Sequence, residues 1–409
     1  MNKLSIRDIT EQLKGKRILM RLDLNVPQNK KTLEITNDAR ITAALPTVRL
    51  ALENGASQII MCSHLGRPDG QVVAKYSLAP VAKRISELLE QEVALVEDYT
   101  KVGSDKLVLL ENLRFHIEEE GKGVNEAGEK VKATPENVAA FRKQLRELAD
   151  IYVCDAFGTA HRGHSSMVGE GFETRAAGLL LEREIEYFNK ALSTPERPYL
   201  AILGGAKVSD KIKLISNLLT KVDKMIIGGG MAYTFLKELD GMKIGKSLYD
   251  AEGATIVHDI VQKAKEHNVE LIFPVDFTTG DDFSETANTT VVTKEEGIPD
   301  DLEGLDCGPA SAKLFHDAIV SAKTIVNNGP VGVFELTPFA KGTQAVIDAL
   351  AEATELGATT IIGGGDSATA AKKCGKEEKI SFISTGGGAS IELLQGNVLP
   401  GLVALSDKE

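Results

Sequence analysis

Cysteine is scarce in this chain. Four residues, Cys62, Cys154, Cys307 and Cys374, stand far apart and form no C-x-x-C pair. A disulfide framework or thiolate metal site is therefore not expected, and the thiols should be reduced and buried. Long apolar runs are also missing, so no segment reaches the length of a membrane span. The opening MNKLSIRDITEQLKGKR has no apolar stretch of the kind a secretory signal needs. The closing Ser406-Asp407-Lys408-Glu409 matches no retention or peroxisomal address, which leaves the cytosol as the expected location. Nor is there a surplus of cations. The formal net charge of -12 argues against nucleic acid or an anionic membrane surface as partner, although it leaves room for a local basic pocket.

What is present is ordinary globular material in quantity. With 409 residues, 43% hydrophobic and 26% charged, the chain is long enough for two cores of similar size. Short apolar runs alternate with longer amphipathic stretches. Ile18–Leu22, Gln58–Cys62, Leu107–Leu110 and Ile151–Cys154 read as buried parallel strands. Tyr199–Leu203, Lys224–Ile227, Leu271–Val275, Thr324–Val326, Thr359–Ile362 and Ile380–Ser384 form a second set. Helical periodicity fills the gaps, as in Leu78–Glu90, Glu136–Ala149 and Thr343–Leu356. The alternation predicts an α/β protein built from βαβ units. A long helical pattern, Leu179–Leu192, runs into Ser193-Thr194-Pro195-Glu196-Arg197-Pro198, where two prolines stop it. The domain boundary is expected on or just past that helix.

The two halves end their strands differently. In the first, strand ends carry Arg, His, Asp and Asn. In the second they carry the glycine clusters Gly204-Gly205, Gly228–Gly230, Gly329, Gly363–Gly365 and Gly386–Gly388. Doubly wound sheets bind ligands at the carboxyl ends of their strands, so one half suits a small anion and the other a nucleotide.

In the glycine half, Leu200–Lys211 reads as a strand, a glycine turn and a helix start, with Lys207 and Lys211 four apart on one helix face. Two cations there oppose the helix dipole and call for a polyphosphate, unless they are merely solvated. Asp366 of the Gly363-Gly364-Gly365-Asp366-Ser367 loop can cap its helix or, beside phosphates, hold Mg²⁺. Ser384–Ser390 supplies a third loop of backbone donors. Gly241–Ser247 resembles a phosphate-binding loop but has three residues between its glycines where four are required, and it reads as a surface turn.

In the arginine half, strand-like alternation puts Arg21, Asp23 and Asn25 on one face. Arg40, Arg67, Arg114 and Arg162 each lie shortly beyond a strand end. The planar guanidinium suits carboxylate and phosphate; each arginine alone reads equally as a surface ion-pair member, but four so placed point to an anion site. His64, His161 and His164 fit no metal spacing, and no nucleophile–base pair stands out, which accords with direct phosphoryl transfer.

The strings RLDLNVP, HLGRP, LLENLRF, DAFGTAHR, GGAKVSDK, IIGGGMAYTF, LDCGP, NGPVGVFE, GGGDSAT and STGGGAS, in this order over about residues 17 to 390, closely resemble the phosphoglycerate kinase family. The resemblance implies two Rossmann-like, doubly wound parallel-sheet domains joined by a helical hinge. Residues 1–185 would bind 3-phosphoglycerate, with 396–409 packing back onto them, and 186–395 would bind Mg-nucleotide. It also implies a monomer acting on small molecules, with Mg²⁺ and ATP/ADP. By motif, Asp23, Asn25, Arg40, His64, Arg67, Arg114 and Arg162 would hold the substrate. Arg40, Lys207, Lys211 and Gly387 would serve the transfer. Gly228, Gly229, Gly304, Glu335, Gly364, Gly365 and Ser367 would hold the nucleotide, with Asp366 as the Mg²⁺ ligand. Ser367 stands where Thr is common and Gly163 where Ala is common. An inactive nucleotide-binding homologue and another carboxylate kinase are the alternatives.

Overall fold

Strands such as Gln58–Cys62, Leu107–Leu110 and Tyr199–Leu203 are buried at every position, which explains their continuous rather than alternating apolar character. The computed structural model describes residues 1–409 and divides them into two units, Met1–Ile185 with Val398–Glu409, and Glu186–Asn397.

The first unit is built on a wholly parallel six-stranded sheet. Its spatial order is Ala94–Val96, Leu107–Leu110, Gln58–Cys62, Arg17–Leu22, Ile151–Asp155 and Arg175–Ala177. The chain order reverses beside the central strand Arg17–Leu22, so the switch-point crevice opens between that strand and Ile151–Asp155. Helices Ala39–Glu53, Ala79–Leu89 and Pro135–Glu147 supply connections. The last begins on Thr134, whose hydroxyl accepts the Asn137 N–H at 3.2 Å. The chain's two ends meet in this unit: Leu4 N donates to Ser406 O at 2.8 Å, and Gly401 N donates to Ala160 O at 2.9 Å.

The second unit repeats the plan. Its parallel sheet runs Glu270–Ile272, Lys224–Ile227, Tyr199–Leu203, Thr324–Asn328, Thr359–Ile362 and Phe382–Ile383. Here the switch point lies between Tyr199–Leu203 and Thr324–Asn328. A Cβ on Gly204 would sit 1.9 Å from the Pro330 carbonyl oxygen, so only glycine lets the two loops meet there. A separate three-stranded antiparallel sheet, Thr289–Thr293, Asp276–Gly280 and Glu303–Cys307, was not expected from the apolar runs. Pro274 ends the strand anticipated as Leu271–Val275 early, at Ile272. Helix Leu179–Leu192 runs across the division between the units. No helix is long and apolar enough to cross a membrane. Three of the four thiols are buried and free; Cys374 is only half-buried, against expectation.

Candidate functional site

In the first unit the cationic residues gather at the crevice end of the sheet. Arg21 is the next-to-last residue of the central strand and is 1% exposed. Its partners are all internal: Nε donates to Ser166 Oγ at 2.8 Å and Nη2 faces His64 Nδ1 at 3.1 Å. The strand ends at Leu22, so Asp23 and Asn25 lie in the loop beyond it rather than on a shared strand face. Asp23 accepts Arg40 Nη1 through both oxygens, at 3.0 and 3.1 Å. Arg40 stands in the first turn of Ala39–Glu53, exposed apart from this pair. The Gly66 peptide is gripped from two sides: its N–H donates to Asn25 Oδ1 at 2.9 Å, and its carbonyl accepts Arg114 Nη1 at 3.0 Å. Arg67 follows it, exposed, and Arg162 is exposed beyond the strand Ile151–Asp155.

The electrostatics are those of an anion site. Burial first, then Arg21, Arg114 and Arg40, hold the His64 imidazolium well below its ordinary range. His164 is pushed down to about 3 by burial, Arg114, Arg21 and Arg162. Its Nε2 lies 3.8 Å from Glu120 Oε1, so it belongs to the packing behind the crevice. The Nε of Arg114 is buried and makes no hydrogen bond; Glu120 Oε1, at 3.8 Å, forms a longer ion pair with it, and an incoming anion would supply the missing bond.

In the second unit a cavity of about 540 Å³ opens at the switch point, lined by Gly205, Gly229, Gly304, Pro330, Glu335 and Asp366. Leu248 and Phe283, two apolar lining residues that the motifs did not single out, sit 40% and 57% exposed at its walls. Gly304 has Tyr233 directly behind it, where a Cβ would lie 2.4 Å from the phenolic oxygen. Gly228 backs onto Val331 and does not line the cavity.

Lys207 and Lys211 do not share an α-helical face. Lys207 is exposed in the loop, Lys211 ends a 3₁₀ turn, Ser209–Lys211, and the α-helix starts only at Ile212. Burial lowers the Lys211 ammonium below its usual range, with Asp366 and Asp210 opposing. Its Nζ donates to Asn328 Oδ1, and Asn328 Nδ2 donates to the Gly363 carbonyl, next to Gly364. Ser367 Oγ accepts the Gly329 N–H at 2.8 Å. Asp366, in the first turn of Gly365–Lys373, makes no capping bond and is exposed to the cavity, while Gly365 is exposed at the helix start. Gly387, with φ +47, opens the short helix Gly388–Leu394 away from the cavity lining. The Gly241–Ser247 segment is not a plain surface turn: Ser247 is buried and its Oγ accepts the Gly304 N–H at 2.8 Å, supporting the cavity floor.

The family model "Phosphoglycerate kinase" matches residues 6–397. "Phosphoglycerate kinase 2" of Rhizopus niveus is 58% identical, and "Phosphoglycerate kinase" of Eremothecium gossypii 56%; each alignment covers 100% of this chain and 99% of the relative. The structure of phosphoglycerate kinase from Coxiella burnetii superposes with a TM-score of 0.88 at 39% identity, covering 98% of both chains. The enzyme from Pyrococcus horikoshii gives 0.73 at 30% identity, with the same coverage. The chain belongs to the phosphoglycerate kinase family, phosphotransferases with a carboxyl group as acceptor.

Proposed function

We propose that the arginine-rich crevice of the first unit holds 3-phosphoglycerate or its acyl phosphate, and that the cavity of the second holds the Mg-nucleotide. The observation that carries this division is the contrast between the two switch points. One gathers guanidinium groups around Arg114, whose buried Nε makes no hydrogen bond and has only the longer ion pair to Glu120 at 3.8 Å, and the other opens an apolar, glycine-walled cavity.

Asp23, Asn25, His64, Arg67, Arg114 and Arg162 would hold the carboxylate, hydroxyl and phosphate of the substrate. Asp23 and Asn25 orient their neighbours as much as the ligand, since they already bind Arg40 and the Gly66 peptide. In the second unit Gly228, Gly229 and Gly304 would set the base against backbone, and Glu335 would accept a ribose hydroxyl. Gly364, Gly365 and Ser367 would shape the phosphate loop. The residues fit a Mg²⁺ ion, because Asp366 has a carboxylate uncommitted to capping at the cavity wall. When bound there with the nucleotide, Mg²⁺ neutralises phosphate charge.

Transfer breaks the bond between phosphorus and the acyl oxygen and forms one to a β-phosphate oxygen of ADP. The leaving carboxylate needs no proton, which accords with the lack of a nucleophile–base pair in the motifs. Arg40, Lys207, Lys211 and the amides of Gly386–Gly388 would neutralise and orient the transferring group. Closure about a hinge in helix Leu179–Leu192 would exclude water from the acyl phosphate. A monomer in the cytosol, acting on small molecules, is the accompanying reading; the family resemblance supports the monomer, and the net charge of -12 speaks against nucleic acid as partner.

The division is tested by paired variants. Arg114→Ala should raise KM for 3-phosphoglycerate and leave KM for ATP alone; Asp366→Asn should raise the Mg²⁺ concentration needed for half-maximal rate and leave KM for 3-phosphoglycerate alone. Crossed effects would contradict the assignment.

A further inference from the structure

Beneath the basic crevice lies a buried acid that the motifs did not single out. Glu119 is 2% exposed and sits in the short helix Ile117–Glu120. Its carboxylate accepts the Ser166 N–H at 3.1 Å and the Ser166 hydroxyl at 2.6 Å. With its only proton committed to Glu119, the Ser166 oxygen is left to accept Arg21 Nε at 2.8 Å. Arg21 Nη1 donates to the Leu22 carbonyl, and Nη2 reaches His64 Nδ1 at 3.1 Å.

The direction of every bond in this chain follows from chemistry. A guanidinium has donors and no acceptor. The His64 Nδ1 facing it must therefore be the acceptor, so the ring is neutral and carries its proton on Nε2. We propose that Glu119 and Ser166 are positioning residues that act through Arg21 to present His64 as a neutral Nε2–H donor to the substrate; this rests on the substrate role assigned to His64 above. The opposite tautomer would turn a lone pair toward the substrate oxyanion and set Nδ1–H against the Arg21 donors. Burial raises the Glu119 carboxyl, and Arg21, the two Ser166 bonds and Arg114 oppose that rise, so the acid and the buried guanidinium one hydroxyl away stabilise each other's charged forms. The other charged or titratable groups facing His64 are Arg114, His164 and Arg40, and Arg114 also acts on Glu119. Two further carboxylates stand among these groups: Glu120 Oε1 lies 3.8 Å from both Arg114 Nε and His164 Nε2, and Asp23 pairs with Arg40. Neither bonds Arg21 or Ser166, so the acid that reaches Arg21, through Ser166, is Glu119.

The test uses full-length protein labelled with ¹⁵N at histidine. Long-range proton–nitrogen correlation at neutral pH reads the His64 tautomer, and steady-state kinetics read both KM values. Wild type and Ser166→Thr should show the Nε2–H pattern. Glu119→Gln and Ser166→Ala should show mixed tautomers, with KM for 3-phosphoglycerate raised about tenfold, the size of one hydrogen bond to a charged group, and KM for ATP unchanged. Thermal unfolding checks that each variant is folded; should Glu119→Gln be unfolded, Ser166→Ala decides alone. A retained Nε2–H pattern in the folded variants overturns the proposal whatever their activity, and so does a wild-type KM for 3-phosphoglycerate. His64→Ala separates the two layers. If it leaves KM for 3-phosphoglycerate unchanged, the substrate role of His64 is wrong, whereas a raised KM there with silent Glu119 and Ser166 variants refutes only the relay.

Discussion

Replacing Ser367 by alanine isolates one bond that holds the nucleotide cavity in shape. Ser367 is 1% exposed, and its Oγ accepts the Gly329 N–H at 2.8 Å. Gly329 begins the loop after the central strand Thr324–Asn328 and has φ +100, so the loop has little freedom to turn that N–H elsewhere. Stranding a donor of this kind costs about 1–3 kcal/mol. A unit of this size loses roughly 2–4 °C in Tm per kcal/mol, so a fall of several degrees is expected. The same loop supplies Pro330, Val331, Gly332 and Val333 to the cavity wall, so KM for ATP should rise by about tenfold while KM for 3-phosphoglycerate stays put. Ser367→Thr keeps the oxygen and should hold KM for ATP near wild type. Differential scanning calorimetry and initial-rate kinetics on both variants provide the readouts. A Ser367→Ala enzyme with wild-type Tm and KM, or a Thr variant as damaged as the Ala variant, would refute the reasoning.

Three further outcomes are expected. Arg40→Ala should lower kcat about a hundredfold or more with ATP affinity intact by equilibrium titration, because the lost group acts on charge in the transition state. Gly204→Ala places a Cβ 1.9 Å from the Pro330 carbonyl oxygen and should abolish ATP binding or lower Tm markedly, as seen by calorimetry. Burial raises the Asp155 carboxyl to about 6, against opposing bonds from Thr47 and the Leu181 N–H. Its folded form thus binds a proton more tightly than the unfolded chain, so its contribution is fully present below the unfolded value and is lost as pH rises through about 6. Chemical denaturation should accordingly find Asp155→Asn gaining on wild type by up to roughly 3 kcal/mol between pH 4 and 6, then running parallel above that.

Much of this was legible because parallel strands buried on both faces are written as apolar runs. Gln58–Cys62, Leu107–Leu110, Tyr199–Leu203, Lys224–Ile227 and Thr359–Ile362 end in the structure where those runs end. Half-buried edge strands such as Ala94–Val96 leave no such trace. The antiparallel strand Thr289–Thr293 is mostly exposed threonine and valine, so its pairing depends on partners distant in the chain. The polar residues with motifs pointed to both crevices, but not to how they are held. Glu119 sits in an acidic run, Glu118–Glu120, that reads as a solvated face; only the tertiary fold buries its central member against Ser166. Lys207 and Lys211 looked like helical neighbours because spacing alone does not distinguish a 3₁₀ turn from the first turn of an α-helix.

The most direct measurement is a coupled assay with 3-phosphoglycerate, ATP and Mg²⁺, read as formation of 1,3-bisphosphoglycerate, with acetate, carbamate and aspartate offered in parallel. The account predicts turnover with 3-phosphoglycerate alone and its complete loss on adding EDTA. No turnover with 3-phosphoglycerate while the protein still binds Mg·ATP, or equal turnover with another acid, would contradict it.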